Sequence, residues 1–159
     1  MKLKSALVLL AFLAIAFGVA ALGSLTTIEN VDGWYASAAK APWDPPNSVF
    51  GPVWTVLYTL IAVSGWLVWR EIKRVPPIYI VQLVLNAFWT PVFFGAFPLI
   101  GSAALWIALV IILAIDVTVL LTMLRFWKVS KLAAWLLVPY WAWVLFATTL
   151  NAGLAILNS

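Results

Sequence analysis

Five apolar stretches, each long enough to cross a lipid bilayer, dominate this sequence and restrict what it can fold into. They cover about residues 5–24, 48–69, 78–97, 101–124 and 132–156. A bilayer-spanning helix needs roughly 20 residues. Backbone groups in lipid must bond internally, so the stretches are expected to be helices, and the alternating strands of a membrane barrel are absent. The sequence therefore predicts an all-α integral membrane protein, a five-transmembrane-helix bundle formed by one domain over residues 1–159.

The charge content agrees with a membrane protein. Only 9% of the residues are charged, against roughly 25% in a soluble domain. The net charge is +4, but the basic residues lie at the ends of the apolar stretches rather than in one patch. The expected partner is therefore the lipid bilayer, and nucleic acid is not expected.

The first apolar stretch also resembles a signal peptide. Lys2 and Lys4 precede a long apolar run, which ends in small residues at Ala20, Ala21 and Gly23. However, the run is longer than the 7–15 residues typical of the apolar region of a signal peptide. A retained membrane helix is therefore the favoured interpretation.

The basic residues predict the orientation of the chain in the membrane. Eight of the nine fall on one side, in the N-terminal segment and the second and fourth loops; these are Lys2, Lys4, Arg70, Lys73, Arg74, Arg125, Lys128 and Lys131. The positive-inside rule then places the N-terminus in the cytoplasm and the C-terminus outside. The expected location is the cytoplasmic (inner) membrane, with loop 1, about residues 25–47, on the outer side.

The absence of cysteine and histidine excludes several kinds of site. Zinc sites, Ser–His or Cys–His catalysis and the usual axial ligands of haem all need one of these residues. No metal site and no required cofactor are predicted. A porphyrin or haem would have to be held by its faces and edges.

Loop 1 is rich in tryptophan and proline and nearly free of charge. It contains Trp34-Tyr35 and the segment Lys40-Ala41-Pro42-Trp43-Asp44-Pro45-Pro46. Proline fixes its own φ and restricts the preceding residue, so the loop should be stiff. Such a loop suits a lid over a pocket for a flat apolar ligand. The alternative is that its tryptophans mark the bilayer interface; the lid is the favoured interpretation.

Aromatic and polar stripes on three helices reach similar depths below loop 1. They comprise Phe50, Trp54 and Tyr58; Gln82, Asn86 and Thr90, with Trp89 and Phe93 beside them; and Tyr140, Trp143, Ala147 and Asn151. Their spacings of three and four residues place each set on one helix face. A rise of 1.5 Å per residue puts Trp54 and Trp89 roughly 12 Å below the outer helix ends. Converging stripes predict a pocket in the outer half of the bundle.

The amides Gln82, Asn86 and Asn151 and the acid Asp116 lie well inside the predicted spans and need partners, because polar groups in lipid are costly. For Gln82 and Asn151, interhelical hydrogen bonding is the favoured role. For Asn86, flanked by aromatic residues at pocket depth, ligand contact is favoured. Asp116 is the one acid well inside a span, and the sequence does not explain its role.

Several motifs, in order along the chain, resemble those of the TspO/translocator-protein family of tryptophan-rich sensory proteins. They are Trp34-Tyr35, Lys40-x-Pro42-Trp43-x-Pro45-Pro46, Phe50-x3-Trp54-x3-Tyr58, Gln82-Leu83-x2-Asn86, Trp89-x-Pro91-x-Phe93-Phe94-Gly95 and Leu137-x-Pro139-Tyr140-x2-Trp143-x2-Phe146-Ala147-x3-Asn151. The resemblance runs from about residue 5 to 157.

The resemblance implies a five-helix bundle that forms homodimers and binds porphyrins, sterols or drug-like molecules under loop 1. The residues that match the family's pocket are Tyr35, Trp43, Pro45, Phe50, Trp54, Asn86, Trp89, Trp143, Phe146 and Ala147. Trp54 and Trp143 match the tryptophans implicated in light-dependent porphyrin breakdown by bacterial relatives, so they are the candidate catalytic residues. The family's sterol motif lacks its tyrosine and basic residue here, since the chain ends Asn151-Ala152-Gly153-Leu154-Ala155-Ile156-Leu157-Asn158-Ser159.

Two classes of function remain open. The first is a receptor or transport protein that binds a tetrapyrrole or a similar flat ligand. The second is an enzyme that degrades porphyrin with light and oxygen, in which the ligand supplies the chemistry and the protein supplies position and an oxidisable indole. An ion-coupled transporter that uses Asp116 is a weaker third idea, because no inverted repeat is apparent.

Overall fold

The computed structural model describes residues 3–159 and confirms the all-helical, five-span architecture. Its long helices are α1 (Leu3–Asn30), α3 (Phe50–Ile72), α4 (Pro77–Thr90), α6 (Ser102–Trp127) and α8 (Val138–Leu157). Shorter helices are α2 (Trp34–Ser37) in loop 1, α5 (Phe97–Ile100) before α6, and α7 (Lys131–Leu136), which continues into α8. Five segments are long and apolar enough to span a bilayer, so this chain is an integral membrane protein.

Helix α1 extends six residues beyond its predicted end at residue 24. Thr26 and Thr27 donate their hydroxyl protons to the Gly23 carbonyl at 3.0 and 2.8 Å, and the Asn30 amide donates to the Thr26 carbonyl at 2.8 Å. These side chains bond to their own helix, so a polar segment that looked like loop continues the helix. The prediction that loop 1 begins at residue 25 was therefore wrong; it begins at residue 31.

Two prolines, Pro91 and Pro139, lie at interruptions of the long helices. After Pro91 the α4 helix widens into a π turn, Pro91–Gly95, because proline supplies no backbone N–H for the regular ladder. The chain then reaches α6 through α5 and Gly101, whose positive φ of 62° suits glycine. Pro139 lies in the first turn of α8, just after the break at Leu137. The short connection before α6 makes α4 and α6 packed neighbours.

Buried polar groups connect the helices. Gln82 on α4 accepts a hydrogen bond from Tyr140 of α8 at 2.9 Å, and Asn151 on α8 donates to the Leu105 carbonyl of α6 at 2.9 Å. Both amides thus have the interhelical role predicted for them. Towards the end of the bundle opposite loop 1, the Ser64 hydroxyl of α3 donates to the Ala133 carbonyl of α7 at 2.7 Å.

Candidate functional site

A cavity of about 590 Å³ lies beneath loop 1, enclosed by α1, α3, the end of α4 with its π turn, and α8. Its lining is aromatic and aliphatic, with a few hydroxyl groups and one amide, and includes no charged side chain. The lining residues outside α1 are Val31, Tyr35, Asn47, Phe50, Gly51, Trp54, Thr55, Tyr58, Trp89, Thr90, Phe93, Phe94, Trp143, Ala147 and Leu150. A cavity of this size and character suits an apolar small molecule.

Six of the ten predicted pocket residues line this cavity: Tyr35, Phe50, Trp54, Trp89, Trp143 and Ala147. The other four lie around it. Trp43 is 56% exposed and donates its indole N–H to Thr149 at 3.2 Å; Pro45 lies half-buried in loop 1. Phe146 packs against Trp143, with ring centroids 5.4 Å apart, and Asn86 is buried behind the wall.

The cavity walls are built from aromatic rings that brace one another. Trp54 packs on Tyr58 with ring centroids 5.4 Å apart, and Trp89 stacks on Phe93 at 5.2 Å. Phe50 meets Trp143 edge-on at 6.0 Å. Such pairs restrict ring rotation, so the cavity presents flat, fixed surfaces to a ligand.

The indole N–H groups around the cavity differ in what they bond. Trp34 donates to the Phe94 carbonyl at 2.8 Å and Trp89 to the Asn151 side chain at 3.2 Å. The Trp143 nitrogen is buried and has no hydrogen-bond partner within residues 3–159. A buried donor without a partner costs free energy, and this nitrogen does not face the open cavity, because it has almost no accessible surface.

Loop 1 closes over the cavity and is attached to the bundle. Tyr35 lines the cavity, donates to the Asp44 carboxylate at 3.2 Å and lies beneath the Lys40 ammonium, 4.7 Å from the ring centroid. Burial, the charge of Asp44 and that hydrogen bond raise the pKa of the Tyr35 hydroxyl, which therefore remains a donor at neutral pH. At the other end, the Asn158 amide bonds both the N–H and the carbonyl of Ala39, at 3.0 and 2.9 Å.

Comparison with known proteins agrees with this arrangement of helices and aromatic residues. A sequence profile of the TspO/MBR family matches residues 10–157. The chain belongs to the TspO/MBR family. It is 40% identical to the tryptophan-rich protein TspO of Archaeoglobus fulgidus, over 99% of this chain and 98% of that protein. It is 44% identical to the translocator protein of Homo sapiens, over 74% of this chain and 70% of that protein.

Helix α1 forms part of the cavity wall in this TspO/MBR protein, which was not predicted from the sequence. Seven α1 residues line it: Phe17, Ala20, Ala21, Gly23, Ser24, Thr27 and Ile28. The signal was present as small and hydroxyl residues recurring every three or four positions, which lie on one helix face. In a membrane such a face also suits close helix packing, so the pattern alone did not distinguish the two roles.

Asp116, which the sequence left unexplained, lies outside the TspO/MBR cavity, where α6 packs on α8. One carboxyl oxygen accepts from the Thr148 hydroxyl at 2.8 Å, and the other is buried with no partner in the described part of the chain. The Trp141 indole donates to the Asp116 backbone carbonyl at 3.1 Å. Asp116 therefore links two helices and is not a wall residue.

Proposed function

We propose that this TspO/MBR membrane protein binds a porphyrin, or a similar flat apolar molecule, in the cavity beneath loop 1 and senses or transports it. The observation that carries the proposal is the cavity itself, about 590 Å³ with braced aromatic walls and no charged lining residue. Ligand sites of this kind typically measure about 300–1,000 Å³. Planar macrocycles present large apolar faces that match such walls.

Titration of the purified protein with metal-free protoporphyrin and with haem, in the dark, tests the proposal. Both should bind, with affinities within about tenfold of each other, because the chain has no histidine or cysteine to ligate iron. Absorbance change and quenching of tryptophan fluorescence report binding. Absence of saturable binding by either compound would contradict the proposal. A roughly thousandfold preference for haem would instead reveal an iron ligand.

The second candidate function is degradation of the bound porphyrin with light and oxygen. Two observations favour it: Trp54 and Trp143 both line the cavity, and both match the tryptophans to which the resemblance gives that role. The excited ligand would supply the chemistry, and the indoles would supply position and an oxidisable ring. The measurement is the absorbance of the bound porphyrin under light, compared with darkness. A new light-dependent product favours the enzyme; unchanged absorbance favours binding alone.

The orientation in the membrane is proposed from the basic residues, with the N-terminus in the cytoplasm and the C-terminus outside. Among the loops, Lys40 is the one basic residue on the proposed outer side, and it lies on loop 1 above the cavity. A reporter active only in the cytoplasm, fused after Ser159, should therefore be silent. The same reporter fused within the loop between α3 and α4 should be active. The reverse pattern would place loop 1 and its cavity on the cytoplasmic side.

A further inference from the structure

Asn86 lies at the depth of the cavity but does not line it. Its side chain is 2% exposed, and both of its polar atoms are used inside the protein. The Tyr58 hydroxyl donates to the Asn86 side-chain carbonyl at 2.6 Å, and the Asn86 amide donates to the Tyr140 hydroxyl at 2.9 Å. An asparagine engaged in this way has no polar atom directed at a ligand.

The contact between Gln82 and Tyr79 determines which group donates and which accepts in each hydrogen bond of this network. The Gln82 amide nitrogen donates to the Tyr79 backbone carbonyl at 3.0 Å, which can only accept. The Gln82 carbonyl oxygen therefore faces Tyr140 and accepts its proton at 2.9 Å. Tyr140 must then accept from Asn86, and Asn86 in turn must accept from Tyr58. A flipped Gln82 would set its oxygen against the Tyr79 carbonyl, and a flipped Asn86 would set its oxygen against the Tyr140 oxygen, whose proton is donated to Gln82. Each flip loses a buried hydrogen bond, so the network favours one orientation of the two phenol rings.

Those two rings support the Trp54 indole. Trp54 packs on Tyr58 with centroids 5.4 Å apart and a 30° tilt, and meets Tyr140 edge-on at 6.4 Å. Tyr58 and Tyr140 are almost fully buried, at 4% and 0% exposure. Trp54 itself lines the cavity. A displacement of either phenol would thus move the indole that meets the ligand.

We propose that Asn86 is a positioning residue, which sets the Trp54 indole against the bound ligand through Tyr58 and Tyr140 and does not contact the ligand. This inference rests on the proposed binding function. The family resemblance implies that Asn86 contacts the ligand directly. In this proposal Asn86 acts on the ligand only indirectly. The network also links α3, α4 and α8, so the floor of the cavity is set jointly by three helices.

A cycle of variants tests the inference with dark protoporphyrin affinity as the readout. Asn86→Leu in the wild-type protein should weaken binding about tenfold, the loss expected for one disrupted buried hydrogen-bond arrangement. The same change in the Tyr58→Phe/Tyr140→Phe protein should alter affinity by less than about twofold, because the phenol hydroxyls through which Asn86 acts are gone. A second tenfold loss in that background would show direct ligand contact and overturn the inference.

A spectroscopic readout separates positioning from general loss of structure. The induced circular dichroism of the bound porphyrin depends on its orientation to nearby indoles, so Asn86→Leu should change that signal. Ser64→Ala removes a buried hydrogen bond far from the cavity. This variant should lower the stability of the protein but leave the circular dichroism signal of the porphyrin unchanged. An unchanged signal in Asn86→Leu would overturn the inference. Failure of the wild-type protein to bind porphyrin would contradict the proposed function and not the role of Asn86 alone.

Discussion

The variant Ala147→Phe should bind protoporphyrin about a hundredfold more weakly than the wild-type protein. A loss of this size lies in the upper part of the range of free energies expected when a larger side chain overfills a packed site. Ala147 lies in the α8 wall of the cavity and is 5% exposed. A phenyl ring on its Cβ would project into the space that a flat ligand needs. Because that space is open in the protein itself, the variant should fold normally.

The matched control for this substitution is Ala142→Phe on the same helix. Ala142 is exposed on the outer surface of the bundle and does not line the cavity, so its phenyl ring would face lipid. Dark titration of both variants, with thermal unfolding in detergent measured alongside, is the experiment. Equal porphyrin affinity for the two variants would show that porphyrin binds outside this cavity.

The variant Gly65→Ala should lose about 2–4 kcal/mol of unfolding free energy, from overpacking and a strained hydrogen bond. A Cβ at Gly65 would lie 2.6 Å from the Tyr79 ring and hydroxyl and 2.8 Å from Phe12. Tyr79 has little freedom to move, since its hydroxyl donates to the Ile61 carbonyl at 3.0 Å and its ring stacks on Phe126. The junction of α1, α3 and α4 depends on this close approach.

Gly18→Ala on α1 is the control, because a Cβ there would meet nothing within 4 Å. It should be neutral or stabilising by up to about 1 kcal/mol, since alanine favours the helix over glycine. Denaturant unfolding in one detergent, with both variants in parallel, gives the comparison. A Gly65→Ala protein as stable as Gly18→Ala would mean that Tyr79 and Phe12 can move aside freely.

The residue types of loop 1 predict some of its structural features but not others. The lid interpretation fits Tyr35, which lines the cavity, and Trp34, which stacks on Phe97 at 4.0 Å. Trp43 behaves differently, because it is more than half exposed and bonds Thr149 on the outside of α8. Proline and tryptophan content indicated a stiff aromatic loop, but the direction of each ring depends on residues more than 50 positions away.

The five helices, their order and the depth of the aromatic cluster could be predicted from the amino-acid sequence alone. These follow from the length of each apolar stretch, from the need to satisfy the backbone in lipid and from a fixed rise per residue. The family resemblance added the expected pocket, and six of its ten residues line the cavity found in the structure.

The folded bundle was needed to show which face of each helix meets the cavity. It placed α1 in the wall and turned Asn86 away into the Tyr58–Tyr140–Gln82 network. In a soluble protein, hydrophobic periodicity shows which face of a helix is buried. In a bilayer both the lipid and the bundle core are apolar, so that signal is lost and helix rotation is set by packing and hydrogen bonds between segments distant in sequence.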